Sequence, residues 1–522
     1  MIKSKIQFSL STKAGLHRLM CILAFGASVS VPEYISAQDY KFSRLPLTPQ
    51  QQAEKDAIPS WRPQVRRSSE TLPGSVDNTK SKYFPAVFNQ GSNNSCSQAS
   101  GVRYTFTYEV NRLLDRDASD PANVFCYHFT WNFLNEGSNQ GSHAFLGYDL
   151  MKDCGALNMV QMEDKAYSYP QQTQWVSGYQ TYIDAMKYRV ESYTKINLKS
   201  RDGIDLMRRY LYDHGDGSAT GGIAVISYKT DDWGLKSYTG PNSTGLRHIV
   251  TKEGNDGPHA ITLTGYDDTI EYDFDGDGNI SDTERGAFIF TNSWGEDWAS
   301  SGKCYIPYSL MLADPSIGGL TEGDADAYMV KPVIGEPKLA FKVKVDYNKR
   351  NELSFMLGAA DGADAKIPTV ELTSPIMNRQ GGAEPMQGYN APTEMEVAFN
   401  FSRFYDNVSR FKDPKFFLTV RRTAASGTGK VIEFSVIDLV SGIQYLSPQH
   451  DLELKGGQVV MTTGEPISIY TSCSKWRWLL TGTPAPVSSP FVVKTATGKP
   501  VKMMINGYDP SSGKLTIKHS RL

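Results

Sequence analysis

Apolar side chains recur at helical spacing after Cys96. Val102, Phe106, Val110 and Leu113 or Leu114 share a face, and Glu109, Arg112 and Asp115 are left for solvent. This predicts a helix from Cys96 to about Asp115, broken by Asp120-Pro121. Similar patterns predict helices over 143–153, 179–190 and 202–213. From about residue 222 the texture turns to β: Ile223–Ser227, His259–Thr264 and Ala287–Thr291 are rich in β-branched and aromatic residues. Helices therefore come first and a sheet second, an α+β order.

Beyond Pro332–Pro337 the pattern alternates with period two. Leu339, Phe341, Val343 and Val345 alternate with Lys338, Lys342, Lys344 and Asp346. Met395, Val397, Phe399 and Phe401 repeat the alternation, as do Ile432, Phe434 and Val436. Turn-forming Gly, Asn and Asp separate these runs, which predicts one or two all-β sandwich modules over 335–522.

The start of the chain reads differently. Lys3, Lys5, Lys13, His17 and Arg18 precede an apolar run over 19–31, and Ile35-Ser36-Ala37 offers a small-residue exit. Residues 1–37 are thus expected to be a signal peptide, placing the protein in the periplasm, at the cell surface or outside the cell. Residues 38–76, proline-rich and carrying Arg66-Arg67, are expected to be a linker or pro-segment. No transmembrane segment is expected. A net charge of -2 and a charged fraction of 21% give no basic patterning towards nucleic acid, so no nucleic-acid partner is expected. Beyond the leader, Cys96, Cys126, Cys154, Cys304 and Cys473 are odd in number. At least one thiol therefore stays reduced or pairs with another chain, and Cys126 with Cys154 is one pairing open to the helical half.

Cys96 stands where its helix begins, and free N–H groups there favour a thiolate. Gln90 precedes it by six residues with Gly91 between, so its amide and the Cys96 N–H can serve as two oxyanion donors. The segment Gln90-Gly-Ser-Asn-Asn-Ser-Cys96 resembles the active-site segment of the papain family of cysteine peptidases. Gly257-Pro-His-Ala260 and Thr291-Asn-Ser-Trp-Gly295 resemble the family's histidine and asparagine segments, in the family's order. Over about 77–332 the resemblance implies a helical subdomain against a β subdomain, with the cleft between them. It implies Cys96 as nucleophile, His259 as base, Asn292 orienting the imidazole, Trp294 shielding that bond and Gln90 in the oxyanion hole. Gly141 is carried over as the residue that pairs with substrate backbone, although an ordinary loop fits there equally. Asn93 stands where many members have a cysteine, so the disulfide that begins there is expected to be missing. Ser97 replaces the usual aromatic.

The implied activity is hydrolysis of peptide bonds in peptide or protein substrates through a thioester. Two alternatives stand beside it. One is a thiol acyltransferase or transglutaminase, which typically has aspartate in the third role. The other is a non-catalytic surface-binding protein on a peptidase scaffold, with C-terminal modules that bind an unknown surface or protein.

Between His259 and Asn292 lies Asp273-Phe-Asp-Gly-Asp-Gly-Asn-Ile-Ser-Asp-Thr-Glu284. Asp273, Asp275, Asp277, Asn279, Ser281 and Glu284 occupy the ligand positions of a twelve-residue calcium loop. Its flanks read as strands, so structural Ca2+ at a hairpin tip is expected rather than an EF-hand.

Overall fold

The computed structural model describes residues 44–64, 71–162, 171–321, 323, 325–464, 466–468, 490–494, 500–509 and 514–521. The expected signal peptide, Arg66-Arg67 and Cys473 lie outside the described residues. No helix among the described residues is long and apolar enough to cross a membrane.

The architecture is α+β, followed by an all-β part. A continuous helical run from Cys96 to Leu114 is built from an α-turn (Cys96–Gln98), a π-helix (Ala99–Phe106) and an α-helix (Thr107–Leu114). The π-helix rotates its downstream half relative to a 3.6-residue count, because each i→i+5 closure takes up an extra residue. That rotation corrects the predicted face. Glu109 is 1% exposed instead of solvated, while Leu113 is 54% exposed. Inside, the Glu109 carboxylate meets His214 Nε2 at 2.9 Å and Arg112 Nε at 3.2 Å, and it accepts from the Tyr210 hydroxyl at 3.3 Å.

Helices Ala144–Cys154 and Arg201–Asp213 lie where expected. The helix expected over 179–190 is shorter, Tyr179–Ala185, because Tyr188–Asn197 is a strand. Helices Pro49–Asp56 and His128–Leu134 were not read from the pattern. The first begins on a Thr48–Gln51 capping box but buries no residue, so it leaves no apolar periodicity to find.

One nine-stranded sheet supports the β half. Its order is 188–197, 326–334, 224–231, 256–271, 285–291, 303–307, 248–250, 235–237, with 75–77 paired to 256–271. The strand Asp326–Ile334 pairs along Tyr188–Asn197, so the sheet runs into the proline-bearing segment where the texture changes. The alternating C-terminal runs are strands Leu339–Tyr347, Glu394–Asn400 and Gly429–Asp438, joined antiparallel in a six-stranded sheet. A four-stranded sheet packs against it, with Phe416 5.7 Å from Phe341 and Phe355 5.2 Å from Phe399. A separate three-stranded sheet consists of Pro490–Lys494, Pro500–Asp509 and Lys514–Arg521. The sandwich core continues into the helical half, where Phe129, Phe133, Leu150, Trp175 and Tyr182 belong to the same buried cluster as Phe341 and Val343.

Cys126 and Cys154 do not pair, because they sit in different apolar clusters. Cys304 is buried in the strand Lys303–Pro307.

Removing the buried carboxylate leaves the Arg112 guanidinium without its counter-charge and Tyr210 and His214 without their acceptor. Glu109→Ala is expected to cost roughly 3–5 kcal/mol in denaturant unfolding. Leu113→Ala is expected to stay within about 0.5 kcal/mol of the parent in the same measurement.

Candidate active site

Three distant segments meet at one end of the large sheet. The stretch Phe88-Asn89-Gln90 runs beside Ser293-Trp294-Gly295. The Gln90 N–H donates to the Ser293 carbonyl at 2.8 Å and the Gly295 N–H to the Phe88 carbonyl at 3.0 Å. Gly91 then turns the chain at φ +68°, and the helix opens on Cys96. His259 lies on the strand Asp256–Glu271, and Asn292 follows the end of its neighbour Arg285–Thr291. Antiparallel pairing sets Thr262 opposite Thr291, which brings the ring and the carboxamide to adjacent strands.

His259 Nε2 and Asn292 Oδ1 are 2.7 Å apart, both side chains buried. The same Oδ1 accepts from the Ser293 backbone N–H at 2.8 Å. A backbone N–H can only donate, so that atom must be the amide oxygen, and Nε2 must carry the ring proton. Nδ1 is thereby the proton-accepting nitrogen of the imidazole.

Trp294 lies 4.8 Å from the His259 ring. Trp233 and Trp298 complete an aromatic group around it, at 5.7 and 5.6 Å from Trp294. The sequence reading missed these two, although Trp298 follows Trp294 by four residues. It also missed Tyr104. From the π-helix its hydroxyl donates to the Asn292 carbonyl at 3.1 Å and accepts the Phe88 N–H at 3.3 Å. Only the fold brings Tyr104 to these two strips, so no sequence signal marks it.

Cys96 is buried against the residue that follows His259. The Ala260 backbone amide favours the thiolate, and the Ser100 hydroxyl donates to the Ala260 carbonyl at 3.0 Å. Burial pushes the Cys96 thiol up, opposed by the Ala260 N–H and by the positive charge of Arg44. Burial lowers His259 to about 4, with the Asn292 bond opposing. In this state thiol and imidazole are both neutral near pH 7. Gln90 is buried too: its Nε2 donates to the Asn93 carbonyl at 2.6 Å, and its Oε1 receives the Ser293 hydroxyl.

Gly141 lies in the loop before the helix Ala144–Cys154. The Leu45 N–H donates to its carbonyl at 3.0 Å, and Arg44 and Gly141 form a parallel bridge. The N-terminal segment thus pairs with the Gly141 loop at Arg44 and Leu45 and continues into the helix Pro49–Asp56. It is anchored again where Trp61 N–H meets the Lys195 carbonyl at 2.8 Å and the Trp61 ring meets Tyr210 edge-on at 5.4 Å. His143, two residues beyond Gly141, is lowered to about 3 by burial and by Arg44 and Lys55 of that segment.

The acidic loop is the tip of the hairpin between the two site strands, as expected. Ligand atoms of Asp273, Asp275 and Asp277 lie within 4.8 Å of one another. Glu284 is turned to the protein. Its carboxylate accepts from the Ser281 N–H and hydroxyl at 3.0 and 2.7 Å, and from the Phe274 and Asp275 N–H groups at 2.6 and 3.3 Å. Ser281, led by its N–H, and these amides hold the carboxyl at about 2. The Asn279 N–H donates to Asp277 at 2.7 Å.

No family model matches the chain and no curated protein does. Among solved structures, xylellain, a cysteine protease from Xylella fastidiosa, is similar at 17% identity and TM-score 0.36, over 56% of this chain and 96% of its own. Procathepsin B S9 from Trypanosoma congolense is similar at 12% identity and TM-score 0.37, over 56% and 87%. Bromelain from Ananas comosus, in complex with the E64 inhibitor, is similar at 15% identity and TM-score 0.32, over 50% and 99%. These similar structures are papain-like cysteine proteases, the family that the three segments resemble.

His143 is held at about 3, below its ordinary value of 6.5, by burial and by the charges of Arg44 and Lys55 in the N-terminal segment, so its protonation opposes the packed arrangement. Proton uptake therefore favours release, and the segment's hold is expected to weaken as pH falls from about 6.5 towards 3. Hydrogen exchange at the Leu45 amide, normalised to its intrinsic rate, checks this. Exchange should rise on acidification, and His143→Gln should flatten the response.

Proposed function

We propose that the chain is an exported, papain-like cysteine peptidase held latent by its own N-terminal segment. One observation carries the reading. An imidazole whose tautomer is set by a backbone-anchored carboxamide lies one residue from the amide that favours the thiolate of a buried cysteine.

In the proposed reaction His259 Nδ1 takes the Cys96 proton, and the sulfur attacks the scissile carbonyl. The Gln90 side-chain amide and the Cys96 N–H donate to the oxyanion. The imidazolium protonates the departing amine as the C–N bond breaks, leaving a thioester on Cys96. Water, deprotonated by His259, then releases the carboxylic acid and restores the thiol. Asn292 keeps the ring aligned throughout, and Trp294 keeps water from the Nε2–Oδ1 bond. An uncharged amide in the third position favours hydrolysis over the transglutaminase-like alternative. Gly141 pairs with substrate backbone, a role supported by its present pairing with Leu45.

The segment 44–64 is the latency device, and cleavage near Arg66-Arg67 frees its C-terminal end. Residues 1–37 direct export.

Asp273, Asp275 and Asp277 hold structural Ca2+, with Asn279, Ser281 and Glu284 completing the set. The three converging carboxylates fit a hard cation, whereas Glu284 must exchange backbone amides for metal to join them. Bound Ca2+ would supply charge neutralisation at the tip, which stiffens the hairpin joining the His259 and Asn292 strands.

Incubation with a peptide epoxide should label the processed native protein one-to-one and leave Cys96→Ala unlabelled. Labelling of Cys96→Ala at the native rate would defeat the assignment. Chelation should lower the thermal midpoint of the native protein, and Asp275→Asn should remove that response. A midpoint indifferent to chelation and to added Ca2+ would exclude the metal.

A further inference from the structure

We propose that the C-terminal β-sandwich is a working part of the cleft: through Gly381 and Gly382 it positions the loop that carries Gly141. This rests on the peptidase reading for its consequence, but not for its geometry.

The loop 135–143 is held from two sides. On the side of Cys96, the Ser97 hydroxyl donates to the Ser142 carbonyl at 2.6 Å, and Gln98 Nε2 donates to the Ser142 hydroxyl and the His143 carbonyl, each at 3.0 Å. Asn94 donates to Asn139 through its N–H at 2.9 Å and its Nδ2 at 2.6 Å.

On the other side the loop meets the sandwich. Gly137, at φ +68°, lies so close to Gly381 that a Cβ would come 2.6 Å from the Gly381 carbonyl oxygen. Gly382, at φ +74°, lies so close to Glu136 that a Cβ would come 2.4 Å from that carbonyl oxygen. No side chain separates the two backbones, so displacement of one must move the other.

The Gly381 loop, which joins a strand of one sandwich sheet to a strand of the other, is itself pinned by Arg350, which is 1% exposed. Its guanidinium donates to the Gly381 carbonyl from Nε at 2.9 Å and Nη2 at 2.7 Å, to the Met386 carbonyl at 3.2 Å and to the Thr173 carbonyl at 2.6 Å. It also stacks on Trp175 at 4.0 Å. Trp175 Nε1 donates to the Asn132 carbonyl at 2.9 Å, and Trp131 Nε1 donates to the Gln140 carbonyl at 3.0 Å. A buried cation thus ties the sandwich loop to the helix His128–Leu134, which in turn holds the residue before Gly141. Five donated hydrogens on a planar fork can grip several carbonyls at once, which a lysine cannot. Gly381 and Gly382 are positioning residues here: they touch no reacting atom and act through the Gly141 edge.

Gly382→Ala tests this against Gly362→Ala. Gly362 also lies in the sandwich at positive φ (+111°), but a Cβ there meets nothing within 4 Å, so it carries the backbone strain without the contact. In the full chain, Gly382→Ala should speed normalised hydrogen exchange across 135–143 and at the Leu45 amide by about tenfold, and Gly362→Ala should not. After removal of the N-terminal segment, Gly382→Ala should raise KM for peptides by about tenfold with kcat changed less than about twofold, the pattern of lost uniform binding. Unchanged exchange in Gly382→Ala, or faster exchange with KM unaltered in an active enzyme, overturns the proposal. Faster exchange in a native protein that cleaves no peptide removes the peptidase reading and leaves the buttress standing. Should Gly382→Ala not fold, Gly137→Ala presses on the same contact from the loop side and is read in the same way.

Discussion

The site depends on one hydrogen bond, between His259 Nε2 and Asn292 Oδ1, and on the backbone N–H of Ser293 that holds its acceptor. An imidazole free to rotate offers either nitrogen to a nearby thiol, in either tautomer. A carboxamide anchored to the backbone of the next residue removes that freedom without adding a charge. The surrounding arrangement maintains this bond. The hairpin sets the two strands in register, three tryptophans exclude water, and the Tyr104 hydroxyl ties the Asn292 carbonyl to the helix that begins at Cys96.

Burial acts on both members of the thiol–imidazole pair in the same sense, against charge. The closed state is therefore electrostatically quiet, although its polar contacts are in place. Burial, with the charges of Arg44 and Lys55 in the segment paired to Gly141, lowers His143 in the same sense. The segment that packs beside His143 also supplies the like charge.

Helical half and sandwich share a hydrophobic core rather than a linker. Phe129 and Phe133 of the helix His128–Leu134 pack in the cluster that contains Phe341, Val343 and Phe355. Burying Arg350 in that junction is costly, and desolvation drops it to about 9. Four carbonyl contacts and an indole face offset the cost. Such a grip specifies how the two halves sit together more than it adds stability.

Local pattern was enough to expose the α+β order and the alternating strands of the sandwich, and resemblance to papain-family segments pointed to Cys96, His259 and Asn292. Each of these is written in short-range spacing or residue type. The acidic hairpin tip was legible for the same reason, its flanks being strand-like and its carboxylates at alternate positions. What local pattern could not carry was decided by contact between distant residues. The π-helix turned Glu109 inward towards His214, a partner more than a hundred residues away. A run that continues a helical pattern became the strand Tyr188–Asn197, because Asp326–Ile334 was there to pair with it. Tyr104, Trp233 and the Gly137–Gly381 approach carry no mark in the sequence, since their roles come from whichever backbone the fold brings alongside.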